Sequence, residues 1–362
     1  MTGRTGHFLV TIIVLVTISV SCNTQKESGK GRHVVSDSWE RSMHVPDSIR
    51  SVTCLGSGAL RLICYMDLAD RVKYIEGNEK RRSVPYILAN PRLREREVIG
   101  AGNNYDTELL AVSSTELIVT TFKGGAEADR LRKLTGKPVF ALKYGNLGDD
   151  IDDFLNSISL VGNAFGKERR ADSLISYINA TIAELKSRVA GVYDPELSAY
   201  IGGVAYSGSH GLTSTLNDYP PFSFISVRNS AGEALNESGK AKITNNNTTI
   251  DAEQLIEWDP DFLFLDASGT AIWMNEIDKP VFNGTMKAFR QKKVFTVLPY
   301  NWYTINYENV LCNSWYVGKT IYPEAFADVD IDAKCREIYE VFLGKDVFDE
   351  MNKLYRPFRE AL

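Results

Sequence analysis

Short apolar runs alternate along this chain with segments whose apolar residues recur at helical spacing. The runs predict strands at positions 49–55, 72–75, 117–121, 139–142, 197–202, 262–265 and 293–298. The spaced segments predict helices, among them 59–67, 107–112, 126–134 and 252–257. Stretches interrupted by Gly and Pro, 81–102 and 206–221, are predicted to be mostly loop. Because short apolar runs are typical of buried parallel strands, the alternation predicts an α/β fold of βαβ units.

One helix–strand pattern occurs twice in the chain, 145 positions apart (106 to 251). Asp106 opens the first helical segment and Glu116 precedes the strand that follows it. Asp251 and Asp261 take the same places in the second copy. Each leading Asp is expected to accept hydrogen bonds from N–H groups of the first helical turn. Two copies of one unit predict two similar lobes, and a cleft between lobes is a common place for a small ligand.

Residues 149–189 contain no strand pattern and separate the two copies. Apolar residues recur there at helical spacing on both sides of a break around 162–166, so about 40 residues of kinked helix are predicted. We therefore expect two Rossmann-like lobes with parallel-rich sheets, joined by a long kinked backbone helix. The boundaries we assign are an N-terminal lobe at 48–148, a helical connector at 149–190 and a C-terminal lobe at 191–362.

The N-terminal region predicts export and a lipid anchor. Residues 8–21 form an uncharged apolar stretch, which is too short for an ordinary membrane span of about 20 residues. The stretch ends at Cys22 in a segment that resembles a bacterial lipobox, although Ser19 stands where Leu is usual. We expect a signal peptide at 1–22, lipid on Cys22 and a flexible polar tether at 23–47. An ordinary secretory signal is the alternative.

Composition and motifs exclude several classes of function. The net charge of −5 argues against nucleic-acid binding, which needs clustered positive charge. Four cysteines besides Cys22 are expected to be small buried hydrophobic residues, and whether two of them form a disulfide stays open. With four His and no P-loop, Gly-x-Ser-x-Gly or His-pair motif, we expect no enzymatic activity, no bound metal and no cofactor.

Several segments suggest a family. The connector segment GKERRA (166–171) and the segment WDPDFLFL (258–265) resemble the substrate-binding proteins of bacterial ABC importers for iron complexes and cobalamin. The segments PYNWY (299–303) and AYSGSHG (205–211) are similar to those of members described as iron-complex binders. The first lobe departs from the pattern, because SSTE (113–116) stands where Pro-Asp is expected. The resemblance covers the mature chain.

The resemblance implies a lipid-anchored, monomeric periplasmic protein that delivers an iron–siderophore or related metal chelate to a membrane permease. It implies that Glu108 and Glu253 dock on the permease. The residues it suggests for the ligand are Ser57, Arg82, Tyr86, Asn103, Tyr206, His210, Arg228, Trp302 and Tyr303, with Asn301 and positions 121–122 as further candidates. Siderophore, haem and corrinoid remain open as cargo. Two alternatives also stay open: a chelatase-like, cofactor-processing enzyme, and a surface lipoprotein that captures such a ligand.

Overall fold

The fold is taken from a computed structural model that describes residues 1–2, 31–101, 104–121, 124–232 and 247–362. The chain divides into two units, Met1–Gly31 and Arg32–Leu362, and the architecture below is that of the second unit. Positions 3–22 of the predicted signal peptide, which include Cys22, lie outside the described residues. Within the described ranges, no helix combines the length and the apolar character needed to span a bilayer.

The strands follow the predicted order, with additions. They are β1 Arg32–Ser36, β2 Ser42–Pro46, β3 Val52–Leu55, β4 Val72–Glu76, β5 Glu97–Ala101, β6 Asn104–Tyr105, β7 Leu117–Thr121, β8 Val139–Leu142, β9 Ser198–Gly202, β10 Ser214–Leu216, β11 Arg228–Asn229, β12 Asn247–Thr249, β13 Phe262–Asp266 and β14 Val294–Val297.

The α-helices lie between the strands and in the C-terminal tail. They are α1 Ala59–Tyr65, α2 Gly77–Arg81, α3 Pro85–Ala89, α4 Thr107–Val112, α5 Gly125–Thr135, α6 Ile151–Phe165, α7 Glu168–Val189, α8 Pro220–Ser223, α9 Ala252–Trp258, α10 Thr270–Ile277, α11 Pro280–Asn283, α12 Lys287–Arg290, α13 Tyr307–Ile321, α14 Ile331–Leu343 and α15 Phe348–Tyr355.

Two separate sheets confirm the predicted pair of α/β lobes. The first sheet has the order β6-β5-β4-β3-β7-β8, and all its neighbours are parallel except β5 and β6. The second sheet has the order β11-β9-β13-β14 and is parallel throughout. β3, β7, β8, β9 and β13 are buried along their whole length, which explains why their sequences are continuous apolar runs rather than alternating ones.

The connector is helical as predicted, and its kink is a complete break between α6 and α7. Gly166 ends α6 with a φ of 65°, a left-handed conformation that glycine adopts at little cost. Close to this break, a Cβ atom on Gly162 would lie 2.6 Å from that of Ala171, so the glycine lets the two helices approach closely.

The predicted flexible tether at 23–47 is wrong from residue 32 onward, because residues 32–46 form an antiparallel hairpin, β1–β2. Asp37, at the hairpin turn, is buried and accepts hydrogen bonds from the N–H groups of Trp39 (3.0 Å) and Ala141 (3.0 Å). Its other carboxylate contact is the guanidinium of Arg41, which also donates to the carbonyl of Val139 at 2.8 Å. The hairpin therefore covers β8, the edge strand of the first sheet, whose backbone would otherwise be unpaired.

Two smaller predictions also need correction. The stretch 81–102 is not mostly loop, since it contains α3, a 3₁₀ turn at Pro91–Glu95 and β5. The two leading Asp residues of the repeat differ: Asp106 accepts a hydrogen bond from the N–H of Leu109 (2.8 Å), whereas Asp251 makes no side-chain cap bond. Cys54, Cys64, Cys312 and Cys335 are buried free thiols.

Arg61 connects the two lobes from a fully buried position on α1. Its guanidinium donates to the Tyr144 hydroxyl, to the carbonyl of Ile305 and, at 2.6 Å, to the Asn306 side-chain oxygen. It also lies 4.8 Å from the centre of the Tyr86 ring. Burial of a guanidinium is costly unless it is paired, so the hydrogen bonds from its two terminal nitrogens hold the chain around residue 305 against the first lobe.

Glu79 is a second buried charge in this region, next to the same aromatic ring. Its carboxylate accepts a hydrogen bond from the Tyr86 hydroxyl. Burial raises the pKa of Glu79 from 4.5 to about 7, although the Tyr86 hydrogen bond and the Arg61 charge both lower it. Burial likewise raises the pKa of Asp266 to about 7, against hydrogen bonds from Ser268 and the N–H of Tyr300.

We expect Asp37→Ala to lower the free energy of unfolding by about 3 kcal/mol, because it removes the hairpin's buried acceptor and the buried one of the two carboxylates that pair with Arg41. Urea unfolding at neutral pH measures the change. Asp47→Ala, at a carboxylate with 62 % of its side chain exposed, is the control and should cost less than about 0.5 kcal/mol. If both substitutions lower the free energy of unfolding by the same small amount, the hairpin is not part of the cooperatively folded unit.

The raised pKa of Glu79 gives a second prediction. In the unfolded chain the carboxyl loses its proton near pH 4.5, and in the folded protein near pH 7. Between these values the folded state binds more protons, so the Glu79 contribution lowers stability as pH rises, by about 3 kcal/mol in total. Glutamine at position 79 does not titrate in this pH range. The free energy of unfolding of Glu79→Gln minus that of the unaltered protein should therefore rise by about 3 kcal/mol from pH 4.5 to pH 7.

Urea unfolding at pH 4.5, 5.5, 6.5 and 7.5 measures this difference. The control is Glu97→Gln, which changes an exposed carboxylate on β5 and should leave the pH dependence unaltered. Parallel pH curves for Glu79→Gln and the unaltered protein would contradict the prediction.

Candidate functional site

A cleft of about 540 Å³ opens between the carboxyl ends of the two sheets. Ser57, which follows β3, and Arg82, which follows α2, form its first-lobe wall. Two second-lobe loops, 205–208 after β9 and 301–304 after β14, form the other wall. The lining residues are Ser57, Arg82, Ala205, Tyr206, Ser207, Gly208, Asn301, Trp302, Tyr303 and Thr304. Ligands of open α/β sheets bind at this end of the strands, where loops rather than helices present side chains.

Glycine turns bring the first-lobe wall close to the rest of the lobe. Gly58 has a φ of 96°, and a Cβ atom there would lie 2.1 Å from the Tyr144 ring, so a larger residue cannot occupy this position without a rearrangement. The neighbouring carbonyl of Ser57 accepts a hydrogen bond from the Thr121 hydroxyl at 2.8 Å. This hydrogen bond fixes the backbone at Ser57 at the carboxyl ends of β3 and β7.

Arg82 contacts both aromatic side chains of the opposite wall. Its guanidinium carbon lies 5.1 Å from the Trp302 ring centre and 4.8 Å from that of Tyr303. These distances are those of cation–π interactions, which orient the guanidinium plane and leave its edge available to an oxygen anion. Arg82 is the one cationic side chain among the lining residues that the structure describes.

A buried carboxylate lies directly beneath this aromatic wall. Glu76, the last residue of β4, is 1 % exposed. One of its oxygens accepts the N–H of Gly56 at 3.0 Å, and the other accepts the Tyr303 hydroxyl. Burial and the adjacent Glu76 charge both raise the pKa of Tyr303, so its hydroxyl keeps its proton and remains a donor.

The loop that carries Trp302 and Tyr303 has an unusual backbone. Tyr303 and Thr304 have φ values of 61° and 70°, in the left-handed region that non-glycine residues seldom adopt. Asn301 closes the loop by pairing with Ile305, and its side-chain N–H donates to the carbonyl of Ala205 at 3.0 Å. That last bond joins the two second-lobe loops into a single wall.

The sequence predictions for ligand contacts divide into three groups. Ser57, Arg82, Tyr206, Trp302 and Tyr303 come together in the cleft, with the further candidate Asn301. Asn103 lies outside the described residues. The remaining three residues, Tyr86, His210 and Arg228, are not among the side chains that line the cleft.

Tyr86 and Arg228 were expected at the cleft for their chemistry, and the structure places both elsewhere. Tyr86 is fully buried, because its ring packs on Arg61 and its hydroxyl donates to Glu79. Arg228 is exposed on the edge strand β11 and lines a different, open cavity of about 750 Å³ with Tyr193. His210 lies behind the cleft loop, where Nε2 is 2.6 Å from the carbonyl of Tyr206.

Sequence reasoning missed Glu76, Arg61 and Thr304. A charged residue at the end of an apolar strand, such as Glu76 after the segment VKYI, is a signal for a site at the strand's carboxyl end. Arg61 on the apolar face of α1 is a comparable signal, because a charge there needs a buried partner. Thr304 carries no sequence signal, since its position depends on the loop conformation. Across the described ranges, no group of three or more His, Cys, Asp or Glu side chains is placed to hold a metal ion.

The fold and this cleft can be compared with known proteins. The family model for periplasmic binding proteins matches residues 86–297 of the chain. Among curated proteins, the molybdate-binding protein MolA of Haemophilus influenzae is 21 % identical over 332 residues, which cover 85 % of this chain and 90 % of MolA.

Solved structures show the same fold. A periplasmic solute binding protein from Veillonella parvula superimposes with a TM-score of 0.71 at 18 % identity, covering 90 % of this chain and 97 % of that one. Molybdate-bound MolA gives 0.69 at 19 % identity, covering 87 % and 98 %. The petrobactin-binding protein YclQ of Bacillus subtilis gives 0.59 at 15 % identity, covering 82 % and 99 %.

These likenesses confirm the two-lobed fold and the family that the connector and strand motifs suggested. Because the family model spans more than half of the sequence, the chain belongs to the periplasmic binding protein family.

Proposed function

We propose that the protein is the solute-binding component of an ABC importer and that its cargo is an iron–siderophore or related metal-chelate complex. The observation that carries this proposal is the arrangement of Arg82 against Trp302 and Tyr303 at the mouth of the cleft. One guanidinium on two aromatic rings suits a ligand that is both aromatic and anionic. The cargo would bind in the cleft and pass to the permease when the protein docks.

The size of the cleft supports a ligand of several rings rather than a single small ion. Small-molecule sites have volumes of about 300–1,000 Å³, and this cleft has about 540 Å³. Aromatic faces at Trp302 and Tyr303 can stack on a catecholate or macrocycle, while Arg82 can donate two parallel hydrogen bonds to its anionic oxygens. The petrobactin-binding protein YclQ and the haem-binding protein HutB of Vibrio cholerae have this fold, and their names support a ligand larger than a single ion.

A small oxyanion is the second candidate, because the MolA relative binds molybdate. Arg82 and the hydroxyls of Ser57 and Tyr206 could donate hydrogen bonds to such an anion. A small oxyanion fits the cleft less well, since it has no ring or apolar surface to pack on the aromatic wall. The carboxylate of Glu76 behind that wall also adds negative charge, which disfavours a compact dianion.

The proposal includes a membrane anchor and a location. The family consists of periplasmic binding proteins, and we propose that lipid on Cys22 holds this one at a membrane as a monomer. Because the hairpin begins at Arg32, the tether we propose is confined to the stretch between Cys22 and Arg32. A shorter tether raises the local concentration of the binding unit at the membrane surface.

Titration of the purified protein with a ferric catecholate, ferric citrate, haem, cyanocobalamin and molybdate tests the cargo. We expect one metal chelate to bind and to quench the fluorescence of Trp302. Arg82→Ala should weaken that binding about 10–100-fold, because a hydrogen bond from a charged donor is lost. Arg81→Ala, the exposed neighbour on α2, is the matched control and should bind normally.

Three results would change the assignment. Tight binding of molybdate alone would favour the oxyanion reading. Chemical conversion of any compound would favour a cofactor-processing enzyme. Equal affinities of the Arg82 and Arg81 variants would show that the cleft is not the site.

Glu108 and Glu253 are our proposed contacts with the permease. Each is exposed in the first turn of its helix, α4 or α9, and each helix precedes a central strand of its sheet. The two carboxylates therefore hold equivalent places on the two lobes. A matched pair of exposed charges can set the orientation of docking through complementary charges on a partner.

We expect the double variant Glu108→Ala/Glu253→Ala to bind its cargo with unaltered affinity and to lower uptake by cells at least tenfold. Removing rim charges slows productive association with a partner without touching the cleft. Glu95→Ala/Glu257→Ala, which removes two other exposed carboxylates, is the matched control. Unaltered uptake by the first double variant would rule out this docking role.

A further inference from the structure

Glu76 is a buried charge that none of the proposed roles uses. It is 1 % exposed, so no solute in the cleft reaches it directly. Its two oxygens nonetheless connect two parts of the binding site, the turn at Gly56 and the hydroxyl of Tyr303. Burial of a carboxylate costs desolvation free energy. A carboxylate that is buried behind the wall of a cleft and contacts it suggests a role in shaping that wall.

The wall it contacts adopts a conformation that needs support. Tyr303 and Thr304 both have left-handed backbone angles, which non-glycine residues keep only where their surroundings hold them. Within the loop, the N–H of Trp302 donates to the carbonyl of Thr304 at 3.1 Å. This bond and the pairing of Asn301 with Ile305 are short-range contacts within the loop, so we expect contacts from outside it to help maintain the two left-handed residues.

Different groups hold the base and the tip of this loop. At the base, the carbonyl of Ile305 accepts hydrogen bonds from Arg61 and, at 2.8 Å, from the Tyr144 hydroxyl. At the tip, Tyr303 is held by the Glu76 carboxylate and by the cation–π contact with Arg82. Arg82 faces the cleft and is expected to turn toward a bound solute. The Glu76 carboxylate is the charged partner of Tyr303 that no solute reaches, and Asn78 lies beside it as a neutral one.

We propose that Glu76 is a positioning residue that holds the Trp302–Tyr303 wall in its binding conformation before the solute arrives. This rests on the proposed function of the cleft and adds that binding requires the wall to be held in place by Glu76. Glu76 touches no ligand and acts through the Tyr303 hydroxyl. Without it, the loop tip relaxes away from the left-handed conformation while its base stays on Arg61 and Tyr144.

The proposal predicts a particular kinetic signature. If only a fraction of molecules has the competent wall, the apparent affinity falls by that fraction. The loss then appears in the association rate, because bound molecules all have the competent wall and dissociate as before. Removal of a direct ligand contact would instead raise the dissociation rate.

Hydrogen–deuterium exchange of the ligand-free protein provides the primary test. Glutamine at position 76 carries no charge and has an NH₂ group in place of one carboxylate oxygen, so it cannot accept from both Gly56 and Tyr303, which bind different oxygens of Glu76. In Glu76→Gln we expect the backbone amide of Trp302 to exchange about tenfold faster or more, because a hydrogen bond to a charged group is lost. The amides of β3, β7 and β9 should exchange at unaltered rates. Tyr303→Phe should raise the exchange rate at Trp302 by a similar factor. The double variant should exchange there about as fast as either single variant, because both remove the same hydrogen bond.

The matched control is Tyr206→Phe, which removes a hydroxyl from the neighbouring loop on the same wall of the cleft. It should leave exchange at Trp302 unaltered. Unaltered exchange in Glu76→Gln would overturn the proposal. Faster exchange spread evenly over β4 and its neighbours would also overturn it, because Glu76 would then be a general stabilising residue.

Stopped-flow binding of a ferric catecholate provides the second test. We expect Glu76→Gln to slow association about tenfold at an unaltered dissociation rate, and a raised dissociation rate with normal association would overturn the positioning role. If the unaltered protein does not bind the ferric catecholate while exchange at Trp302 responds as expected, the positioning role stands and only the proposed cargo fails.

Discussion

The structure depends on one buried cation, the guanidinium of Arg61. It lies where the first-lobe helix α1 meets the chain that enters the C-terminal helix α13, and its donors reach Tyr144, Ile305 and Asn306. The cost of burying it is offset because its partners are polar groups from both halves of the chain, with the Glu308 carboxylate close by. Burial raises the pKa of Glu308, whereas the Arg61 charge and a hydrogen bond from Tyr65 lower it. The lobes are therefore joined by a charged network as well as by apolar packing.

Because of that network, the loop at 301–306 packs against the first lobe. By sequence, residues 301–306 continue the second-lobe strand β14, but their strongest contacts lie in the first lobe, at Arg61, Tyr144 and Glu76. The aromatic wall of the cleft and Arg82 consequently form one unit. The part that remains with the second sheet is the loop 205–208, joined to this unit by the hydrogen bond from Asn301 to Ala205. A small movement at that bond would alter access to the cleft without large rotation of the lobes, in keeping with the helical connection between them.

Much of the fold could be predicted from the sequence, because buried parallel strands are continuous apolar runs and helices with one apolar face repeat at 3.6 residues. The hairpin at 32–46 was missed because its strands alternate polar and apolar residues over only five positions and adjoin a polar segment. The cleft could be predicted in part, since loops that follow strands carry ligands in such folds. Tyr86 and Arg228 show the limit of that reasoning: side-chain chemistry marks a residue as able to bind, but its place depends on packing partners such as Glu79 that lie far from any recognisable motif.

The charges around the cleft also bear on the kind of cargo. Arg82 faces the solvent side of the aromatic wall and Glu76 lies behind it, so the wall separates two opposite charges. Arg82 lies over the faces of the two rings, whereas Glu76 accepts a hydrogen bond from the Tyr303 hydroxyl at the edge of its ring. A compact dianion gains little from such a face and is repelled by the carboxylate beyond it. A flat anionic chelate gains from both the ring and the guanidinium, with its charge spread over several oxygens. For the proposed cargo, one cation, two rings and one buried anion would select by shape and charge distribution together, which a site made only of arginines would not do.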